Sequence, residues 1–366
     1  MDLGNFSGTP FVLKTMSVKQ NSFLRDYFKC DITPFEENGP PASSVRFNKK
    51  GALKAAVGEY LERSSVFINN GRFKQENIIG IDMTTHAEVT IPLYRMLLHW
   101  GVPPLNKQNL EGLYSDTCGL ASHITSFQSI QSAFFEFFER QSLLYGWFTN
   151  TPGKRIEISD LQKDPDLKEQ IDMAFGYIDE LHFIDISLSE KAKVIICIAT
   201  GKEIKGVGLS AHWDYKNAIL GTIKELFQYI AAKGSRYDDN NINENEVDAL
   251  YYSKHFMNEV NSESLKSDFN YLISNSKNIE IDIFDRVEIK EVDFGKIIAE
   301  LSNELEIDFI LCFVPVITDR IRTKIVKIMT TRGFHHMFTS AILPEEIPML
   351  KGHHVFYNKG KVIPFG

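Results

Sequence analysis

Apolar positions along this chain alternate between helical spacing and short continuous runs. Leu53, Ala56, Val57, Tyr60 and Leu61 fall at i, i+3, i+4, i+7 and i+8, which predicts an amphipathic helix from about Asn48 to Phe67. A second helix is predicted from about Ser126 to Trp147, with Thr125 or Ser126 as its N-cap. A third starts after Asp214, a good N-cap, and ends near Lys233 with Gly234 beyond it. The runs "HFIDISL", "KVIICIAT" and "FILCFVPVI" read as buried strands, and short strands such as "NIIGIDM" are expected within residues 68–114. Residues 1–47 look irregular, "GVPPLN" reads as a break, and the polar stretch 235–248 reads as a mobile surface loop. Helices and strands interleave throughout, so an α/β or α+β layered domain is expected. It divides into an irregular 1–47, a core at 48–233 and a C-terminal part at 249–366.

Bulk properties narrow the class without naming a chemistry. The chain has 366 residues, 43% of them hydrophobic and 24% charged, which suits a globular protein with a sizeable core. A net charge of −8 with no long basic run argues against nucleic acid as a partner. The longest apolar runs are too short to span a bilayer. The N-terminus has no basic segment followed by an apolar one, so no secretory signal is expected. Cys30, Cys118, Cys197 and Cys312 are widely spread, without a CxxC pair, which suggests reduced thiols in a cytoplasm.

The second helix carries a contradiction. Phe134, Phe135, Phe137 and Phe138 cover half of its circumference, while Glu136, Glu139 and Arg140 share the other half with Leu143 and Trp147. Charges set among apolar neighbours need partners, because an unpaired buried charge is costly. A metal ion or a phosphate is one candidate partner and an ordinary ion pair is the other. The first helix repeats the pattern: "GEYLERSS" holds Glu59, Glu62 and Arg63, as "FEFFERQS" holds Glu136, Glu139 and Arg140. The third relaxes it to Glu225 and Gln228 in "KELFQYI". Carboxylates three apart on a helix lie within reach of one cation. Mg²⁺ accepts a few protein oxygens when phosphates supply the rest, and an adjacent Arg can take a phosphate bidentately. Ala218, Gly221 and Thr222 beside Glu225 leave room for a ligand or permit close helix packing.

Other chemistry-bearing residues give weaker signals. His335–His336 and His353–His354 are adjacent pairs, whose side chains diverge on a strand, so zinc is disfavoured. Cys118 has no activating base in view, which favours a packed thiol over a nucleophile. His123 and His212 each precede a helix and are candidates for substrate contact.

Three blocks in order resemble the YcaO family: "KAAVGEYLERSSVF", "SDTCGLASHITSFQSIQSAFFEFFERQSLLYGW" and "GVGLSAHWDYKNAILGTIKELFQ". "DTCG", "EFFERQSLLYGW" and the closing "VIPFG" are most similar to the cyclodehydratase subunit of microcin-type thiazole/oxazole peptide synthetases. The resemblance implies one YcaO domain over 1–366, with mixed sheets and helices carrying the acidic ATP- and Mg²⁺-binding motifs. It makes Glu59, Glu62, Glu136 and Glu139 metal ligands. It assigns those four, together with Arg63, Gln128, Arg140, Glu225 and Gln228, to the nucleotide site. It places Pro364 and the carboxylate of Gly366 in the active site. Ile124 and Gln128 stand where many relatives carry Asn and Glu, which removes one carboxylate from the metal set. "PPASSVRFNKKG" replaces a common phosphate loop, with Ser43, Ser44 and Arg46 as its polar groups.

The activity implied is ATP-dependent formation of thiazoline and oxazoline rings in a ribosomal precursor peptide. Residues 1–47 are short for a peptide-binding module. The implied partners are therefore a leader-binding protein of the ubiquitin-activating-enzyme-like type and an FMN-dependent azoline dehydrogenase. Two alternatives stand beside this one: a thioamide-forming enzyme, or a catalytically silent scaffold that binds the leader peptide.

Overall fold

The N-terminal stretch forms a sheet. A computed structural model describes residues 13–21, 24–35, 39–67, 76–98, 115–231, 249–285, 287, 292–317 and 321–365. Strands β1 (Leu13–Gln20), β2 (Phe28–Pro34) and β3 (Ala42–Arg46) pair antiparallel in that order. This corrects the expectation of an irregular 1–47. The alternation of Cys30 and Ile32 is too short to register alone, and the turn-like stretch "TPFEENGPP" separates it from Ala42. Tertiary packing makes these strands, because Leu13, Cys30, Ile32 and Ala42 cluster with Ala52, Ala56 and Tyr60 of the first helix.

That helix, α1 (Lys49–Val66), is capped by Asn48, whose Oδ1 accepts the Gly51 N–H at 2.7 Å. Then come β4 (Asn77–Asp82), β5 (Glu88–Pro92), β6 (Leu120–His123), α2 (Ser126–Thr149) and β7 (Lys154–Ile156). Short α3 (Ile158–Leu161) and α4 (Pro165–Phe175) lead to β8 (Glu180–Asp185), β9 (Lys193–Thr200) and β10 (Lys205–His212). Helices α5 (Tyr215–Ala231), α6 (Ala249–Lys254), α7 (Ser262–Asp268) and α8 (Asn270–Ile273) come next. The last elements are β11 (Lys277–Ile279), α9 (Phe294–Leu305), β12 (Ile310–Val314) and β13 (Lys324–Met329). The expected end of the third helix at Lys233–Gly234, the 235–248 loop and the "GVPPLN" break lie outside the described residues.

Two five-stranded sheets form the body, in the orders β10-β9-β8-β7-β11 and β5-β4-β12-β13-β6. Every pairing is antiparallel except β7 with β11. Helix α2 touches β6 and β13 of one sheet and β9 and β10 of the other. That position explains its composition: Phe134, Phe137, Phe138 and Trp147 are buried in a core shared with Ile196, Leu209, Val326 and Ile328. Each buried phenylalanine contributes about 1.5–3 kcal/mol.

Helix α5 lies on β10 and β9, and its small residues serve that contact. A Cβ on Gly208 would stand 2.0 Å from the Thr222 carbonyl oxygen, and one on Gly221 would stand 2.1 Å from Ser210 Oγ. Gly221 and Thr222 therefore permit close helix–sheet packing and leave no ligand space there. No described helix is long and apolar enough to cross a membrane.

Candidate active site

Strands β6 and β10 are each one edge of a five-stranded sheet, and edge strands present unpaired amides. Carboxylates from three helices take those amides. The Ser122 N–H of β6 donates to Glu62 Oε1 at 2.6 Å. On β10, Ala211 N–H donates to Glu139 Oε2 at 3.1 Å, and Leu209 N–H donates to Glu225 Oε2 at 2.8 Å. Glu59 accepts the Ser43 N–H of β3 at 3.1 Å and pairs with Arg63 at 2.7 Å, while Arg63 also donates to Pro41 O at 2.8 Å. Glu136 accepts no hydrogen bond among the described residues. One oxygen of each of the other four glutamates is thus oriented by the backbone.

Arg140 stands among the carboxylates, its Nη2 lying 3.7 Å from Glu139 Oε1. Glu62, Glu136 and Glu225 are half-buried by surface area, but protein surrounds them closely enough to desolvate them. Burial, with repulsion from Glu59, pushes Glu62 up to about 7 against the Ser122 hydrogen bonds and Arg63. Burial holds Glu136 and Glu139 well above the ordinary range and Arg140 opposes it; Glu62, Asp116 and Glu225 add to the rise for Glu136, and Glu225 and Glu136 add to it for Glu139. Glu225 is raised by burial, against Arg140, the Leu209 amide and Arg46. Burial works against the charge on Arg140, but Glu139, Glu225 and Glu136 outweigh it and hold the guanidinium ionised. Arg46, at the end of β3, feels both Glu59 and Glu225.

Five carboxylates therefore meet three guanidinium groups. The oxygen-only donors suit a hard divalent cation, whose binding would release the protons that burial holds on them. No three His, Cys, Asp or Glu side chains among the described residues converge closely enough to cage a metal by themselves. The arrangement fits Mg²⁺ whose remaining ligands come from nucleotide phosphates, with Arg140 and Arg46 opposite the phosphate charge.

These shifts make stability depend on pH. Above the ordinary carboxylate range the unfolded chain ionises Glu62, while the folded protein keeps it protonated until about pH 7. The folded state then binds more protons, so stability should fall as pH rises through that window. Thermal melting of the unliganded protein should show a drop of a few degrees across it, roughly. Glu62→Gln, which keeps an oxygen for the Ser122 amide, should flatten the slope. An equal slope in the variant would sink this reading.

The structure brings Glu59, Glu62, Arg63, Glu136, Glu139, Arg140 and Glu225 together. Gln228 lies half-buried on α5, just under one turn beyond Glu225. Gln128 is exposed in the first turn of α2, where its Oε1 accepts from the Thr125 hydroxyl at 2.7 Å, two turns before Glu136. Ile124 beside it is also exposed, at 62%. Pro364 is buried between Ile363 and Phe365, and the Phe365 ring centroid lies 4.6 Å from Arg140 Cζ. Gly366 lies outside the described residues.

Sequence reasoning missed the support under the cluster. Lys327 is 1% exposed and donates to Asp116 O at 2.6 Å, Ser115 Oγ at 3.1 Å and Arg95 O at 3.2 Å. Asp116 accepts the Cys118 N–H at 2.8 Å and the Met337 N–H at 2.7 Å. A lysine in mid-strand gives no signal of burial. Burial pushes the Cys118 thiol well up, as a packed cysteine requires. Burial drives His335 down to about 4 and His336 to about 3. His353 Nε2 meets Tyr145 OH at 3.0 Å. His212 stacks on Phe135 and sets Nδ1 3.3 Å from Asp214, and His123 Nδ1 accepts the Thr125 N–H at 3.4 Å.

A model of the YcaO cyclodehydratase family, described as ATP- and Mg²⁺-binding, matches residues 73–316; α1 lies before that range. No curated protein matches by sequence. Among solved structures, a chain of the E. coli microcin synthetase McbBCD complex is similar at a TM-score of 0.74 and 19% identity, covering 99% of this chain and 98% of that one. The same complex with pro-MccB17 bound gives 0.72 at 19% identity, with the same coverage. YcaO from Methanopyrus kandleri, bound with AMPPCP and Mg²⁺, gives 0.68 at 14% identity, covering 92% of this chain and 91% of that one.

Proposed function

The chain belongs to the YcaO family, and on that basis we propose that it is an ATP- and Mg²⁺-dependent cyclodehydratase acting on a ribosomal precursor peptide. A Cys, Ser or Thr side chain of the peptide attacks the preceding backbone carbonyl, and ATP supplies the phosphoryl group that lets the carbonyl oxygen leave. The protein's share is positioning and charge neutralisation. Glu59, Glu62, Glu136 and Glu139 would hold Mg²⁺. Arg63, Arg140, Glu225 and Gln228 would contact the nucleotide, with Arg140 kept charged for the task by its carboxylate neighbours. The observation that carries this reading is the convergence of carboxylates from α2 and α5 on Arg140, with Glu62 of α1 near enough to repel Glu136, beside two sheet edges.

Partners belong to the same proposal. The likeness to a chain of the McbBCD complex, solved also with pro-MccB17, supports a multi-subunit assembly and a peptide substrate. We assign the partners as a leader-binding ubiquitin-activating-enzyme-like protein and an FMN-dependent azoline dehydrogenase, working with this chain in the cytoplasm. The isolated chain should then be nearly inactive on precursor peptide. Adding the leader-binding partner should give ATP hydrolysis and the loss of one water mass per ring, read by mass spectrometry. Robust ring formation by this chain alone would remove the partner requirement. Hydrolysis coupled to gain of sulfur would favour thioamide formation.

A further inference from the structure

Thr339 is fully buried and opens a short 3₁₀ turn, Thr339–Ala341. Its hydroxyl donates to Lys361 O at 2.7 Å and accepts the Ile363 N–H at 2.9 Å. One hydroxyl therefore uses its donor and an acceptor site on two backbone groups two residues apart. It fixes the path of the chain just before Pro364. The Phe365 N–H then donates to Ile363 O at 2.8 Å, a tight turn that delivers the Phe365 ring to the Arg140 guanidinium.

The other side of Thr339 is equally fixed. Its N–H donates to Met337 O at 2.9 Å, and the Met337 N–H donates to Asp116 Oδ2. Asp116 in turn gives its carbonyl oxygen to Lys327 Nζ. A continuous set of contacts thus runs from Lys327, beneath the cluster, through Asp116, Met337, Thr339 and Ile363 to Phe365 and back to Arg140.

We propose that Thr339 is a positioning residue: it seats residues 361–365 and, through Phe365, sets the Arg140 guanidinium for reaction. The proposal rests on reading the cluster as the phosphoryl-transfer site. Valine matches threonine in shape but leaves Lys361 O and the Ile363 N–H unpartnered in a buried place, a penalty that drives the segment outward.

The test uses the full chain in its assembled complex. Thr339→Val should speed hydrogen–deuterium exchange of residues 361–365 and cut peptide-dependent turnover by about tenfold, with the ATP KM held within about twofold. Thr339→Ser should restore both. Exchange unchanged in the valine variant overturns the proposal, and so does faster exchange with full turnover. Failure of serine to restore turnover returns Thr339 to a purely structural role. If the wild-type complex itself hydrolyses no ATP, the functional reading fails, and the seating of 361–365 is judged on exchange alone.

Discussion

Arg140→Ala is expected to cut peptide-dependent ATP hydrolysis by about a thousandfold or more, the range seen when a guanidinium opposing transferred phosphate is lost. Arg140 is the cation shared by Glu136, Glu139 and Glu225, and their repulsion is what its charge offsets. Without it those carboxylates can relax by taking up protons, so the fold should survive while affinity for a phosphate collapses. Arg140→Lys keeps the charge and loses the planar fork, and should fall between the two. Glu139→Gln is the companion variant. Its amide oxygen still accepts the Ala211 N–H, so lost hydrolysis there reports on charge and not on the β10 contact. Glu59→Gln should behave alike, since an oxygen remains for the Ser43 amide. Normal hydrolysis by all three losses of charge in the assembled complex would end the site assignment.

The helices were legible because their signals are local. Thr125 and Asp214 cap the helices whose starts they mark, Asp214 accepting the Asn217 N–H at 2.8 Å, and α1 begins beside Asn48, where its apolar stripe places it. The E-x-x-E pairs were legible for the same reason, being set by spacing on one helix. What they bind was not. Glu139 takes an amide 72 residues away and Glu62 one 60 away. Both depend on β6 and β10 being sheet edges, which is a property of topology. Strand β10 itself hides in "GVGLSAH", whose glycines are spent on the approach of α5. The N-terminal sheet hides because its inward face is completed only by α1.

Ending the chain at Val362 is expected to cut ring formation by about a hundredfold or more while ATP affinity changes by no more than about tenfold, the scale of one lost cation–π contact. Residues 363–365 of the segment removed are not frayed. Ile363 is 1% exposed and held by Thr339, and Phe365 is 7% exposed against Arg140. Pro364 fixes φ and restricts Ile363, so this path is held at low entropic cost. Removing two buried apolar side chains should also lower stability by about 3–6 kcal/mol, seen as a fall in Tm. The two effects separate by Phe365→Leu, which keeps most of the buried area and loses the aromatic face over Arg140. If the ring face matters, that variant should lose turnover with little change in Tm. If it cyclises normally while the truncation fails, the contribution lies in Ile363, Pro364 or Gly366 and not in the Phe365 ring. Unchanged ring formation in the truncated chain would leave residues 363–365 as packing alone, because a group that orients the substrate amide cannot be removed without slowing the step it orients.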